Sequence, residues 1–339
     1  MRFALFGAGR VGRVHAQNIA DHPNAELIYV FDIHQDAARH VGDKFDAEVA
    51  ESADQIWEAE GVDAVLIASS TNTHVELLRG AIRSGKAVYC EKPIDLDLDI
   101  VKSVAQEAHH TKVPIFLGFR RRFIPEVQAI YDRMHNGDLG ALEVMHIISR
   151  DSAPPPIPYI NVSGGFLRDK TIHYFDLVCW LTGESPVQVY ANGSCLVDPN
   201  IGAAGDIDTV LVTLKMPSGA LCQIENGRRS VYGYDERIEV SGALGMLQWN
   251  PFYERAVSQF SRSGITLNRS DPDSVYFKQE SFAVALDAFI NCVRSGKELQ
   301  PSLLDGVRAQ VIAEAATESL KKDRPVTISY WQPDRSKVQ

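Results

Sequence analysis

Residues 1–22 read MRFALFGAGRVGRVHAQNIADH, and the meaning of Gly7, Gly9 and Gly12 in that stretch decides the fold. The apolar run RFALF predicts a buried strand, and VGRVHAQNIADH has the apolar spacing of a helix. Between them, Gly7-Ala8-Gly9-Arg10-Val11-Gly12 is a Gly-x-Gly-x-x-Gly turn. Gly7 permits the tight turn, Gly9 lets a pyrophosphate approach the backbone, and Gly12 lets the helix pack closely on the strand. Arg10 and Val11 open that helix, whose N-terminal N–H groups and positive dipole end suit phosphates.

Further along, AELIYVFD, DAVLIASS, KAVYCEK and VPIFLGF are near-continuously apolar, as strands of a parallel sheet covered on both faces should be. Helical patterns separate them, so repeated βα units predict a doubly wound α/β sheet. Asp32 closes the second strand 20 residues after Gly12. An acid there accepts hydrogen bonds from an adenosine ribose and repels a 2′-phosphate; with no Arg at Ile33 or His34, NAD is expected over NADP. The bland alternative is a strand-end Asp that starts a turn.

After residue 120 the texture changes. ALEVMHIISRD, PVQVYANGSCLV, TVLVTLKM, ALCQIENGRRSV, RIEVSGALG and MLQWN follow closely, several joined by turn residues, and predict a large, mainly antiparallel sheet. The expected organisation is a Rossmann dinucleotide-binding domain over 1–120 and an α+β substrate-binding and oligomerisation domain over 121–339, with the C-terminal helices available to pack back on the first. One helix is expected over 164–183, ending at Gly183. DSAPPPIPYINVSGG (151–165) reads as a stiff loop.

The bulk composition narrows the function classes. A net charge of −10 over 339 residues argues against a nucleic-acid partner. No apolar run approaches a membrane span, and the N-terminus enters a strand directly, so neither a membrane partner nor a signal peptide is expected. Five scattered cysteines without CxxC spacing suggest reduced thiols, a cytoplasmic setting and no metal site.

Two further stretches carry candidate chemistry. Cys90-Glu91-Lys92-Pro93 ends a strand, and ligands of such sheets lie beyond the strands' carboxyl ends. Lys92 there suits the polarisation of a hydroxyl; a surface Lys-Pro after a strand is the plain alternative. In GGFLRDKTIHYFDL (164–177), Asp169, His173 and Asp176 share one face if the segment is α-helical. His173 suits a general base oriented by Asp169, but spacing alone leaves a hydrogen-bonded core histidine equally open. Ser69 and Thr71, ending the run DAVLIASS, are expected at the cofactor. His74 reads as structural, and Asp235 with Arg237 as a charged strand face.

These motifs, in this order and spacing, resemble the family of Rossmann sugar and polyol oxidoreductases that includes glucose–fructose oxidoreductase and inositol dehydrogenase. The resemblance extends over GFRRRFIP (118–125), RIEVSGALGMLQW (237–249) and GVRAQVIAEAATESLKKDRPV near the C-terminus. RDSAPPPIPYINVSGGFLRDKTIHYFD and YGYDERIEV look closest to bacterial inositol 2-dehydrogenases. The resemblance implies a catalytic set of Lys92, Asp169 and His173, with His173 taking the hydroxyl proton as hydride passes to NAD. It adds Glu91 to the cofactor residues, Asp151 and Tyr234 to the substrate pocket, and a homotetramer. Asp176, a turn deeper on the helix, reads as supporting or structural. Arg120, where many relatives are uncharged, and Tyr174, where close relatives carry Asp, are departures. A cyclic polyol or sugar is the implied substrate: oxidation of inositol to an inosose leads, oxidation of a cyclic aldose to a lactone is the alternative, and a non-catalytic nucleotide sensor is a third reading.

Overall fold

The computed structural model of the chain describes residues 1–111, 113–250, 258–261, 264–267 and 275–334. Strands and helices alternate through β1 (Arg2–Phe6), α1 (Arg10–Asp21), β2 (Glu26–Phe31), α2 (Gln35–Phe45), β3 (Glu48–Val49), α3 (Ala53–Glu58), β4 (Ala64–Ile67), α4 (Thr71–Ser84), β5 (Ala87–Cys90), α5 (Leu98–His109) and β6 (Ile115–Leu117). Then come α6 (Pro125–His135), β7 (Leu142–Arg150), α7 (Ile157–Ile160), α8 (Ile172–Thr182), β8 (Gln188–Ser194), α9 (Pro199–Ala203), β9 (Thr209–Lys215) and β10 (Leu221–Gly227). The chain continues with β11 (Asp235–Gly242), β12 (Gly245–Trp249), the hairpin β13 (Ser258–Ser261) and β14 (Gly264–Leu267), α10 (Val275–Ser295), α11 (Leu303–Lys322) and β15 (Val326–Thr327).

These elements divide into two compact units. The first holds residues 1–123 together with 279–308 and a stretch from Trp331; the second holds the described residues within 124–278 and 309–330. In the first, six parallel strands run in the order β3-β2-β1-β4-β5-β6. The order reverses at β1, which pairs with β2 on one side and β4 on the other, so the Gly7–Gly12 turn sits at a topological switch point. Strands β4 and β5 are buried at every position, as their unbroken apolar sequences require. Helix α10 joins this core: the Phe289 ring lies 6.0 Å from Phe3 and 5.9 Å from Tyr89.

The second unit is a seven-stranded sheet in the order β12-β11-β7-β10-β9-β8-β15. Its pairings are antiparallel except that β10 runs parallel to β7. The alternating burial of β9 shows one face packed on the core. Helix α8 supplies much of that core; Ile172, Tyr174, Phe175, Leu177, Val178, Cys179 and Leu181 are all buried. The helix expected over 164–183 is not α-helical throughout. Residues Leu167–Thr171 form a π-helical turn before α8 begins, and Gly183 ends α8 in the left-handed conformation as expected. The wider turn breaks the 3.6-residue register, so shared-face spacing does not carry across from Asp169 to His173.

The glycine turn is held by close approach. A Cβ on Gly12 would lie 1.9 Å from the Gly7 carbonyl oxygen, and one on Gly7, at φ +98°, would lie 2.6 Å from the Ser69 nitrogen. Gly12→Ala should therefore destabilise the fold by about 3 kcal/mol, because the blocking atom is backbone and not a movable side chain. Denaturant unfolding checks this; a variant as stable as the parent would contradict the packing role of Gly12.

Candidate active site

The cofactor candidates gather at the carboxyl ends of the first unit's strands. Helix α1 starts at Gly9 without a side-chain cap and with no acid in its first turn. A Cβ on Gly9 would meet nothing within 4 Å, so the backbone there is open to a ligand. Arg10 is exposed, Val11 half-buried and Gly12 buried. Asp32 stands against the turn: the Ala8 N–H donates to its Oδ2 at 2.7 Å and the His34 N–H to its Oδ1 at 2.8 Å. Ile33 projects outward, 80% exposed. An open helix N-terminus beside an oriented carboxylate fits the pyrophosphate and ribose of NAD, and Gly7, Gly9, Gly12 and Asp32 would hold them.

Two neighbouring strand ends are cross-braced. Ser69 and Thr71 follow β4, and the Ser69 and Thr73 hydroxyl oxygens lie 2.7 Å apart. Lys92 follows β5, half-buried, with a cis bond to Pro93. His74 bridges the two turns: its Nδ1 is 2.8 Å from the Pro93 carbonyl oxygen and its Nε2 is 3.1 Å from that of Ser69. Burial pushes the imidazole pKa down, and a neutral ring donates to one of the two carbonyls. The structural reading of His74 thus acquires a definite content.

Glu91 is anchored from the opposite side. Its Oε1 lies 2.8 Å from Nε2 of fully buried His15, whose ring packs edge-on against Tyr89 and Phe282. Gly118 leaves room for this carboxylate, since a Cβ there would lie 2.9 Å from Oε2. Arg120 packs its guanidinium over Phe282 at 4.7 Å and donates to the Ser281 hydroxyl at 2.9 Å.

In the second unit the parallel pair organises the site. Register places Gly227 opposite Arg150, and the Asp151 N–H donates to the Gly227 carbonyl at 2.9 Å. Asp151 and Arg228 therefore leave neighbouring strands side by side. Antiparallel β11 begins at the same end, with Asp235 opposite Arg150, which brings Tyr234 there too. Gly164 and Gly165, at φ +81° and +91°, turn the chain into the π-helical segment that carries Asp169.

Asp169 is buried and doubly bonded. The Tyr159 hydroxyl donates to Oδ1 at 2.8 Å and Arg228 Nη2 donates to Oδ2 at 2.8 Å. Arg228 Nη1 lies 3.5 Å from Asp151 Oδ2, and Lys170 Nζ donates to Asp151 Oδ1 at 2.6 Å. Lys170 Nζ also sits 5.6 Å from the Tyr234 ring centroid, and the Tyr234 hydroxyl is 3.3 Å from that of Ser149. His173 opens α8, half-buried, whereas Asp176 is deeply buried one turn on. Among the sequence candidates, Asp151, Asp169, His173 and Tyr234 thus lie in the second unit, and the glycine turn, Asp32, Ile33, Ser69, Thr71, Glu91 and Lys92 in the first.

Sequence reasoning missed Tyr159, Lys170 and Arg228. Only the doubled Arg228-Arg229 after a strand hinted at the last. The reading of Asp235 and Arg237 as a charged strand face is corrected. Asp235 is fully buried and accepts from Arg150, Arg237 and Tyr232, because an unpaired carboxylate could not be buried there.

Comparison with known proteins supplies the context. Residues 1–119 match the family model described as oxidoreductase family, NAD-binding Rossmann fold, and 127–248 match the GFO/IDH/MocA C-terminal domain. The chain belongs to this oxidoreductase family. It is 39% identical to an inositol 2-dehydrogenase of Rhizobium meliloti, over 97% of this chain and 99% of that one. A myo-inositol 2-dehydrogenase of Thermotoga maritima is 40% identical, over 97% and 98% of the two chains. Among solved structures, scyllo-inositol dehydrogenase of Lactobacillus casei, with bound NAD(H) and scyllo-inositol, superimposes with a TM-score of 0.89 at 25% identity, over 96% of this chain and 98% of that one. NAD is the cofactor of this family's Rossmann domain.

The Glu91 anchor makes a pH-dependent contribution to stability. Burial pushes the Glu91 carboxyl up, but the hydrogen bond from His15 and the charges of His15, Lys92 and Arg120 outweigh it, leaving the pKa below its ordinary 4.5. A depressed folded-state pKa means the carboxylate stabilises the fold above the unfolded value, and this is lost as pH falls through the folded value. Glu91→Gln should therefore be less stable than the parent at neutral pH, with the gap closing below about pH 4.5. Unfolding midpoints across pH 3–8 check this; a gap that stays constant would contradict it.

Proposed function

We propose that this chain is an NAD-dependent inositol 2-dehydrogenase that oxidises a ring secondary alcohol of myo- or scyllo-inositol to an inosose. The observation that carries the reading is the largely buried cluster of Asp169, Arg228, Asp151 and Lys170 at one sheet end, in a chain whose relatives over nearly its whole length include inositol 2-dehydrogenases. Such a cluster offers carboxylate acceptors and cationic donors, the groups that recognise a ring of hydroxyls.

When bound, NAD supplies the acceptor for hydride. His173 takes the proton from the hydroxyl being oxidised, as an imidazole can near neutral pH. Lys92 polarises the same hydroxyl and stabilises the negative charge that develops on its oxygen. Asp169 accepts a hydrogen bond from the substrate. Asp151 and Tyr234 bind further hydroxyls of the ring.

No helix among the described residues is long and apolar enough to cross a membrane, and none of the five cysteines forms a disulfide. A reducing, cytoplasmic setting agrees with those thiols. We further propose a homotetramer. Leu211 and Leu221, 45% and 47% exposed on the outward positions of β9 and β10, leave apolar surface that subunit pairing would cover.

The test is a substrate panel. With NAD, myo- or scyllo-inositol should yield NADH absorbance and an inosose, ahead of aldoses. Reduction with aldoses alone would replace the substrate assignment, and no reduction with any of them would end the dehydrogenase reading. His173→Ala and Lys92→Ala should each lower kcat about a hundredfold or more while NADH still binds; turnover at the parent rate would refute the roles given.

A further inference from the structure

Arg228 belongs to no motif and has no role in the proton and hydride steps, yet it is held firmly in the second unit's site. It is 5% exposed, its backbone N–H donates to the Asp208 carbonyl at 2.9 Å, and its guanidinium lies 4.7 Å over the Phe166 ring. Its two terminal nitrogens address two different carboxylates: Nη2 meets Asp169 at 2.8 Å and Nη1 meets Asp151 at 3.5 Å. A planar fork can do this, whereas the point charge of a lysine addresses one acceptor well.

We infer that Arg228 is the positioning residue of the polyol site, holding Asp169 ionised and fixed in orientation and setting Asp151 beside it as a second acceptor. The inference rests on the reading that Asp169 and Asp151 meet the polyol. The charged and titratable groups around Asp169 include Tyr159 from α7, Arg228 after β10, Asp151 after β7, and Lys170 from its own turn. Remove Arg228 and a buried carboxylate loses a charged partner; protonation then becomes more favourable. A protonated Asp169 is a donor on one oxygen and no longer a two-oxygen acceptor. Polyol binding should weaken, and the site should need higher pH to work.

The experiment compares Arg228→Gln, Arg228→Lys and Tyr159→Phe with the parent. Steady-state kinetics at saturating NAD should give Arg228→Gln a KM for inositol raised about ten- to hundredfold, with a smaller loss in kcat. The acid limb of its kcat/KM profile should move up by about one pH unit or more. NADH affinity, read by fluorescence, should stay at the parent value. Arg228→Lys should restore the acid limb but not KM, since it returns the charge without the fork. Tyr159→Phe, at a half-exposed position, should move the same limb upward by less. The carbon-13 signal of the Asp169 carboxyl, assigned with Asp169→Asn, should titrate at higher pH in Arg228→Gln than in the parent.

Parent-like KM together with a parent-like acid limb in Arg228→Gln would overturn the inference, as would an unmoved Asp169 titration. If Arg228→Gln does not fold, Arg228→Lys with parent-like KM, or Tyr159→Phe with an unmoved limb, overturns it. If the parent oxidises no polyol, the functional reading fails separately, and the Asp169 titration still decides whether Arg228 holds that carboxylate.

Discussion

The contact on which most else depends is the approach of Gly12 to the Gly7 carbonyl, so close that a single methyl group would lie 1.9 Å from the oxygen. It sets the start of α1 against the end of β1 at the position where the strand order reverses. From that constraint follow the open backbone at Gly9 and the Ala8 N–H that fixes Asp32. The neighbouring strand ends then need only short braces. His74 ties the Ser69 turn to Pro93, and His15 holds Glu91 just before Lys92. The first unit's nucleotide site is thus made chiefly from backbone geometry, with buried histidines used as struts.

The second unit solves a different problem. Asp151, Arg228 and Tyr234 are far apart in sequence and are gathered by the β7–β10 parallel pair, whose ends coincide, and by the antiparallel return of β11. Against them a π-helical turn presents Asp169. A π turn sacrifices regular hydrogen bonding for an altered side-chain direction, and such turns recur where a side chain must be aimed. Here the aim is secured by Tyr159 and Arg228 on the two carboxylate oxygens. A buried carboxylate such as Asp169 is tolerable because it is paired with Arg228 and hydrogen-bonded by Tyr159.

What could be read from the sequence was local. The glycine turn, the apolar strands of the first sheet, the antiparallel texture of the second and the Gly183 stop each depend on residues a few positions apart. What could not be read depends on distant register. Arg228 meets Asp169 across 59 residues, and Asp235 finds Arg150 across 85, which is why Asp235 looked like a surface charge. The π turn was invisible because the spacing of 164–183 fits a continuous α-helix equally well. Tyr159 lay inside a Pro-rich loop whose stiffness was legible but whose target was not. Assignment of α10 to the first unit, through Phe289, likewise rests on packing and not on periodicity.

The central claim is that a ring carbon of inositol gives up its hydrogen as hydride to NAD. Incubation with NAD and inositol deuterated at every ring carbon tests it directly, by mass spectrometry of the reduced cofactor. The account predicts reduced cofactor carrying one deuterium per molecule, formed together with an equal amount of inosose. Reduced cofactor without deuterium, or inosose formed with no reduction of NAD, would contradict it.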